Sequence, residues 1–452
     1  MGNLLNSLVT VADSMRTVQR AIDVSSNNVT NAKAPGFVKQ DLSLVAKRFD
    51  LPNALPGGLG DNGLLSSRRA FLEQSVYEQS GREGRFSQAA SNLERLEPLL
   101  DVAAPGGVAG ALDDLFGAFS QWSLNPNEIP SRQLVIDRAS DLSAAFGFLA
   151  GSITSAAHDA DAEIGATVEQ INRLGASIQA YNIEVRSDRR KLEDPGLDAQ
   201  VHAALEDLSA LVDFDLIRAD DGSFTVQLGG QTPLVIADRH YPISADSSGS
   251  SLVLRDQAGK DVTAQISAGK IKGILDFRNG STGALLGGLN TLAESVATRV
   301  NALLTAGLDR NDQPGGELFS FDAAGGAAST LRVTGITAEE LAGASIDAPG
   351  GNGNALELAS LATSRELDGF TFTQYLGQTA GNLGHEVATA RSSARTHELL
   401  LSQARQLRAQ ETEVNLDEEA VKLIAFQRQY EANAELVRVL NSLTETTLGI
   451  LR

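Results

Sequence analysis

The 452-residue sequence contains no cysteine. That excludes disulfides, thiolate metal sites and a cysteine nucleophile, and it removes any redox clue to compartment. Aromatic residues make up only 5%, with a single tryptophan, Trp122. Such a composition suits long helices packed through small and aliphatic side chains better than an aromatic ligand pocket. Basic residues are outnumbered, 37 Lys and Arg against 57 Asp and Glu, for a formal net charge of -20. A surface of that sign repels nucleic acid and is not drawn to anionic lipid, so neither nucleic-acid binding nor membrane insertion is expected. The plain reading is a solvated acidic surface. No apolar run reaches the roughly 18 residues of a membrane span. The opening MGNLLNSLVTVADSMRTVQR lacks a basic front region and a continuous apolar stretch, so it does not read as a cleavable signal peptide. The chain is expected either to stay in the cytoplasm or to leave by a route that needs no such peptide.

What is present is helical periodicity. Leu4, Leu8, Val11, Met15, Val18 and Ile22 recur at alternating steps of four and three, a narrow apolar seam of coiled-coil type. The helix is expected to end near Asn31, before Ala34-Pro35-Gly36 imposes an extended residue and a turn. Residues 51–63 (LPNALPGGLGDNG) read as a loop by composition. The other end mirrors the first. Asn415 reads as an N-cap with Glu418 as its capping-box partner, and Asp417 and Glu419 place negative charge on the first helical turn. Leu416 opens the helix. Leu423, Phe426, Tyr430, Val437 and Leu440 follow at helical steps with polar Asn433 between, and Leu443, Thr447 and Ile450 extend the face. A long terminal helix with one exposed seam is unstable alone and calls for a partner. The residues alone leave two partners open: the two seams pack on each other inside one monomer, or they assemble with other subunits.

Between the ends, about 60 helical residues are expected from Pro130, with an apolar stripe of Ile164, Val168, Ile171, Leu174, Ile178, Tyr181 and Val185. Further helices are expected over about 284–304 and 376–410. Residues 213–277 instead carry short alternating runs punctuated by Asp-Gly, Gly-Gly and Ser-Gly, the marks of hairpins. The expected fold is therefore mainly α with a β-rich insertion (α+β). Terminal coiled-coil helices (1–50 and 410–452) flank a helical-bundle middle domain (51–212 and 278–409), which carries small antiparallel β elements and the inserted subdomain 213–277.

A search for chemistry returns little. Histidines at 158, 202, 240, 385 and 397 are scattered, and neither His385-Glu386 nor His397-Glu398 has a second histidine at zinc-helix spacing; exposed helical histidine is the reading taken. Gly58, Gly60 and Gly63 fit G-x-G-x-x-G but lack a preceding strand and a following helix, so nucleotide binding is not expected. Asp309-Arg310-Asn311-Asp312 lacks the glycine and distal glutamate of a calcium loop. No catalytic residue, metal site or cofactor is expected, and the chain reads as a non-enzyme.

Ser26-Asn27-Asn28-Val29-Thr30-Asn31, followed by Ala34-Pro35-Gly36-Phe37, resembles the N-terminal signature of bacterial flagellar axial proteins, which comprise rod, hook and hook-associated proteins. Asn415-Leu416-Asp417-Glu418-Glu419-Ala420, then Gln427-Arg428-Gln429-Tyr430-Glu431-Ala432-Asn433-Ala434, resembles their C-terminal signature. Internal segments point to the hook-associated branch that joins hook to filament: Asn125-Pro126 with Ser131-Arg132, Ala204 to Ser209 with Asp221-Gly222-Ser223, Gly269 to Arg278, Arg299-Val300-Asn301, Glu317-Leu318-Phe319, and Gly351 to Ala355. The resemblance covers nearly the whole chain. Leu304, Glu413 and the stretch from Asp198 to Ala204 depart from the family pattern. So does the short run between Phe321 and Leu331, where many members carry an outer β domain that is missing or vestigial here.

The resemblance implies a structural subunit at the hook–filament junction. Export would run through the flagellar type III apparatus to the extracellular flagellum, and assembly would form a ring of like subunits. The terminal helices would be disordered in the free monomer and pair on assembly. Implied partners are the hook protein, the second junction protein and an export chaperone covering the face from Leu423 to Leu440. Other readings are a different axial protein, such as the hook protein or second junction protein, an enzyme carried on an axial scaffold, or a non-flagellar secreted coiled-coil protein.

Overall fold

A computed structural model describes residues 2–50, 55–100 and 106–450. Residues 51–54 of the expected loop and the side chain of Ile450 lie outside the described residues. Helix α1 (Gly2–Asn31) stops at the expected point. A turn follows in which the Phe37 N–H donates to the Ala34 carbonyl at 3.1 Å. Pro35 takes its second position and Gly36 the third with φ of 73°, the residue order of a type II turn.

The chain then forms a ribbon. Strand β1 (Gln40–Ala46) pairs antiparallel with β4 (Leu59–Ser66), with Gln40 opposite Ser66 and a register shift between Leu42 and Leu44. The short strands β2 (Phe49–Asp50) and β3 (Leu55–Pro56) lie between them as a two-residue ladder. Residues 59–66 were expected to be irregular up to Gly63 and are strand instead. The strand enters close to α1: a Cβ on Gly58, just before it, would lie 2.5 Å from Thr10 Cγ2, and the Leu59 N–H donates to Ser14 Oγ at 2.9 Å.

The body is a helical bundle. It comprises α2 (Ala70–Leu96), α3 (Val108–Leu124), α4 (Ile129–Ser187) and α5 (Pro195–Leu211). After the sheet region come α6 (Lys270–Asp276) and α7 (Thr282–Ala306). Helix α4 has 59 residues and starts with Pro130 in its first turn, where a missing N–H costs nothing. Its predicted stripe faces the core: Ile164, Val168, Ile171, Ile178, Tyr181 and Val185 are buried and Leu174 is half-buried. The largest buried side chains are Trp122, Phe119, Phe146, Phe319 and Phe372. Arg132 is buried against them without a carboxylate. It lies over the Trp122 ring at 5.3 Å and donates to the carbonyls of Pro126, Ala338 and Leu341.

Strands β5 (Phe214–Arg218), β6 (Phe224–Leu228), β7 (Thr232–Ile236) and β8 (Arg239–His240) form one antiparallel sheet in that order. Strands β9 (Ser244–Asp246) and β10 (Val253–Arg255) form a separate pair. The β-rich stretch ends earlier than 277, because Ile271, Ile274 and Leu275 are buried at helical spacing in α6. Helix amides hold these strands to the bundle. Asn182 on α4 binds both the N–H and the C=O of Phe224, Asn172 does the same for Ile243, Asn279 for Leu252 and Asn301 for Phe319. Each amide supplies one donor and one acceptor, as a neighbouring strand would.

Between β11 (Phe319–Ser320) and β12 (Arg332–Val333) there is only one turn of helix, α8 (Ala327–Thr330). Helix α9 (Gly353–Ser360) leads to α10 (Phe372–Thr412), whose capping box uses Thr371 and Gln374. α10 runs along α2, tied by Arg391 to Glu94 and Glu97 and by Arg408 to Glu73. No helix among the described residues is long and apolar enough to cross a membrane.

Candidate assembly interface at the paired termini

The last helix, α11 (Leu416–Ile450), returns along α1 in the opposite direction. The polarity is fixed by Ser25 and Asn28, near the end of α1, which meet Glu419 at the start of α11. Stepping seven residues back from Ser25 and seven forward from Glu419 brings Val18 level with Phe426. The next steps bring Val11 level with Asn433 and Leu4 level with Leu440. A step of three back from Ser25 and four forward from Glu419 sets Ile22 by Leu423, and further steps of seven set Met15 by Tyr430 and Leu8 by Val437. Most apolar seam positions of the two ends thus fall along one antiparallel pair, with Val11 set against the polar Asn433.

Their burial is uneven. Val18 is fully buried, while Leu4, Leu8, Val11, Met15, Ile22, Leu423, Phe426, Tyr430, Val437 and Leu440 are half-buried. Leu416 and Leu443 are exposed, so the expected extension of the face through Leu443 does not hold. The other fully buried positions of α1 are small or polar: Ser14, Thr17, Ala21, Ser25 and Asn28. Hydrophobic periodicity missed them because α1 has a second neighbour, the β1–β4 ribbon.

Glu419 is the centre of the interface. Its side chain is fully buried, yet both oxygens are satisfied. One oxygen accepts from Ser25 Oγ at 2.6 Å and Asn28 Nδ2 at 3.1 Å, the other from Lys422 Nζ at 2.9 Å. Burial pushes the Glu419 carboxyl up, but the hydrogen bonds from Ser25, Lys422 and Asn28 outweigh it and hold the group below the ordinary range. Lys422 also reaches Asp41 at 2.6 Å. Burial pushes its ammonium down, and the two carboxylates more than restore it. Asn28 is held in turn by Gln40, whose N–H donates to Oδ1 at 3.0 Å and whose carbonyl accepts from Nδ2 at 2.8 Å. Sequence reading gave Glu419 only a helix-dipole role. The cap expected at Asn415 is present, accepting from the N–H groups of Asp417 and Glu418. The Glu418 carboxylate, expected to close a capping box, lies instead 3.4 Å from Lys39 Nζ.

The remaining signature residues join this pair to the body. Asn27 and Asn31 bond to each other across one helical turn, and Pro35 is exposed. Phe37 is half-buried. Gly36 lies on α5, and its carbonyl accepts from Arg68 at 2.6 Å. Arg68 pairs with Glu73 and Asp198, and Arg408 bridges Glu73 and Glu206. Backbone bonds from Lys39 to Thr412 and from Ser67 to Lys39 complete the join.

Beside it is a cavity of about 450 Å³ whose lining includes Gln40, Tyr77, Leu192, His202 and Phe224. His202 was expected to be exposed and is instead buried, its Nδ1 3.0 Å from the Tyr77 hydroxyl. His240 lies on β8, within the stretch expected to be β-rich. Gly60 and Gly63 lie within β4, paired in the ribbon and well before α2 opens at Ala70, so they do not form the turn into a helix that a phosphate cradle needs. Asp309 uses its Oδ1 to accept from the N–H groups of Asn311 and Gln313.

Comparison with known proteins places this architecture. The family described as flagellar hook-associated protein FlgK helical domain matches residues 93–319, half of the chain. The flagellar basal body rod FlgEFG protein C-terminal family matches residues 410–450, which include α11. Flagellar hook-associated protein 1 of Bacillus subtilis is 23% identical, over 99% of each chain. The proteins of that name from Escherichia coli and Salmonella typhimurium are 21% and 23% identical. They cover 71% and 70% of this chain, which spans only 60% of their length. In fold, the chain is similar to the flagellar hook junction protein FlgK from Burkholderia pseudomallei, with a TM-score of 0.68, 15% identity, and coverage of 74% of this chain and 99% of that one. The chain belongs to the flagellar hook-associated protein FlgK family.

Proposed function

We propose that this chain is a structural subunit built into the junction between hook and filament. It assembles as a ring of like subunits through its terminal helix pair after export from the cytoplasm by the type III route. The observation that carries the reading is the antiparallel packing of α1 along α11, which brings the apolar seams of the two ends together. Most of those side chains are only half-buried in the single chain, so the pair still has apolar surface to give to neighbours. In this reading residues 1–50 and 410–452 are ordered only on assembly, the helical body 51–212 and 278–409 packs laterally, and residues 213–277 ride on it. Ordering the helices only where neighbours cover them limits premature polymerisation. Before export, a chaperone would cover the face from Leu423 to Leu440. The hook protein and the second junction protein are the neighbours along the axis. No catalytic step is part of the role.

The test is Leu8→Asp or Val11→Asp. A charge in the seam costs about 1–3 kcal/mol or more once neighbours bury it, and the body lies outside that seam. Each variant is expected to be exported, to keep the protease-resistant body of the parent chain and to fail to support filaments. Filaments of normal number on either variant would overturn the reading.

A further inference from the structure

We propose that Glu419 makes the terminal pairing selective, so that α11 accepts α1 and rejects a second α11. The apolar seam cannot supply that choice. Leucine and valine at heptad spacing pack against any similar helix, because apolar burial has no direction. Before α1 and α11 have paired, the face from Leu423 to Leu440 is as suited to its own copy on another chain as to α1.

The carboxylate is different. It is fully buried, and two of its three hydrogen bonds come from α1, from Ser25 and Asn28. Asn28 is aimed by both backbone groups of Gln40, so the acceptor reads the turn and strand that follow α1 as well as α1 itself. A second α11 running antiparallel would bring Asn441, Ser442 or Thr444 towards the carboxylate, but none of them is held by a backbone clamp like that of Gln40 on Asn28. Where α1 places Val18, Val11 and Leu4 one, two and three heptads from the contact, α11 offers Phe426, Asn433 and Leu440. An α11–α11 pair in the same seam therefore buries two carboxylates, each keeping the bond from its own Lys422 but without the pre-aimed donors that α1 supplies. A buried charge stripped of its partners is among the most costly changes in a protein, and here it is incurred only by the wrong pairing. The polar node thus acts as a positioning device, and the seam supplies adhesion.

The inference deepens the assembly reading, but it is tested on the purified full-length chain and so can fail separately from it. The absence of cysteine makes the test direct. Asn433→Cys alone reports α11–α11 contact as a covalent dimer with a short bis-maleimide. Val11→Cys together with Asn433→Cys reports α1–α11 contact as an internal link. With Glu419 in place, the transient pairings of the unassembled chain are expected to be trapped as the internal link more often than as dimers. Glu419→Leu is expected to raise the dimer share by about tenfold, the change that accompanies about 1.4 kcal/mol in a pairing equilibrium. Glu419→Leu also leaves Ser25 and Asn28 without their acceptor, which weakens the correct pair. The double variant Ser25→Ala, Glu419→Leu reduces that complication, because Asn28 keeps both of its bonds to Gln40. It is expected to recover the internal link while keeping the raised dimer share. A dimer share unchanged from the parent in both variants would overturn the proposal and leave the choice of partner to the seam or to the chain connections.

Discussion

Asn182 on α4 holds Phe224 on β6 by both of its backbone groups, donating to the carbonyl and accepting from the N–H, each at 2.7 Å. The same Nδ2 donates to the Ala237 carbonyl at 2.7 Å. Asn182 has no exposed surface, so water cannot replace these bonds. Asn182→Leu keeps the volume and loses all three bonds. It is expected to lower stability by about 2–4 kcal/mol, the cost of stranded buried backbone groups. Asn172→Leu breaks the equivalent clamp on Ile243 at a half-buried site and is expected to cost less than half as much. Urea denaturation of the two variants side by side checks the order, and equal losses would sink the clamp account.

Gly36 faces α5 at a distance that admits no side chain. A Cβ there would lie 2.2 Å from the Ala199 carbonyl oxygen, and the residue's φ of 73° is already in the left-handed region. Two penalties therefore add in Gly36→Ala. Gly369, with φ of 82° and no atom within 4 Å of the place a Cβ would take, isolates the conformational penalty alone. Gly369→Ala is expected to cost about 1 kcal/mol. Gly36→Ala is expected to cost about 2–4 kcal/mol, with new protease cleavage between residues 31 and 40 as the turn lifts from α5. Matching losses at the two sites would mean that the contact with Ala199 has no energetic weight.

The long helices and both terminal seams were legible because their apolar residues repeat every three or four positions, a signal that survives without any tertiary information. The 59-residue helix from Ile129 and the stop at Asn31 show how far that signal reaches. What stayed hidden was set by long-range contact. Leu59 to Ser66 reads as a loop because Gly60, Gly63 and the preceding Gly57-Gly58 mask its strand pairing, Gly58 being there to let the ribbon approach Thr10 and Ser14 on α1. Glu419 reads as one more acidic residue on a helix start, since its donors lie some 390 positions away. The clamping asparagines 172, 182, 279 and 301 look like neutral helix or turn positions until the strand each one holds is in place. Polar partnership between distant segments leaves no period for a sequence pattern to display.

His202 shows what such hidden partnership does to pH response. Burial, reinforced by the positive charges of Arg68, Arg218 and Arg408, holds its imidazole well below the ordinary range in the folded chain. Asp198 lies 3.6 Å from Nε2. The folded form therefore stays neutral while the unfolded chain takes up a proton near pH 6.5. Below that pH the unfolded state binds more protons, so stability falls as the solution is acidified, by up to about 1.4 kcal/mol per pH unit for this one site. Above it both states are neutral and His202 contributes no slope. His240 and His397 are also held low, by burial, and add in the same direction. The comparison that isolates His202 is wild type against His202→Gln, which keeps a polar partner for Tyr77 and removes the titration. Urea midpoints at pH 7.5, 6.5 and 5.5 are expected to drop for wild type and to drop distinctly less for the variant. Parallel pH profiles would show that His202 is protonated as easily in the folded chain as in the unfolded one.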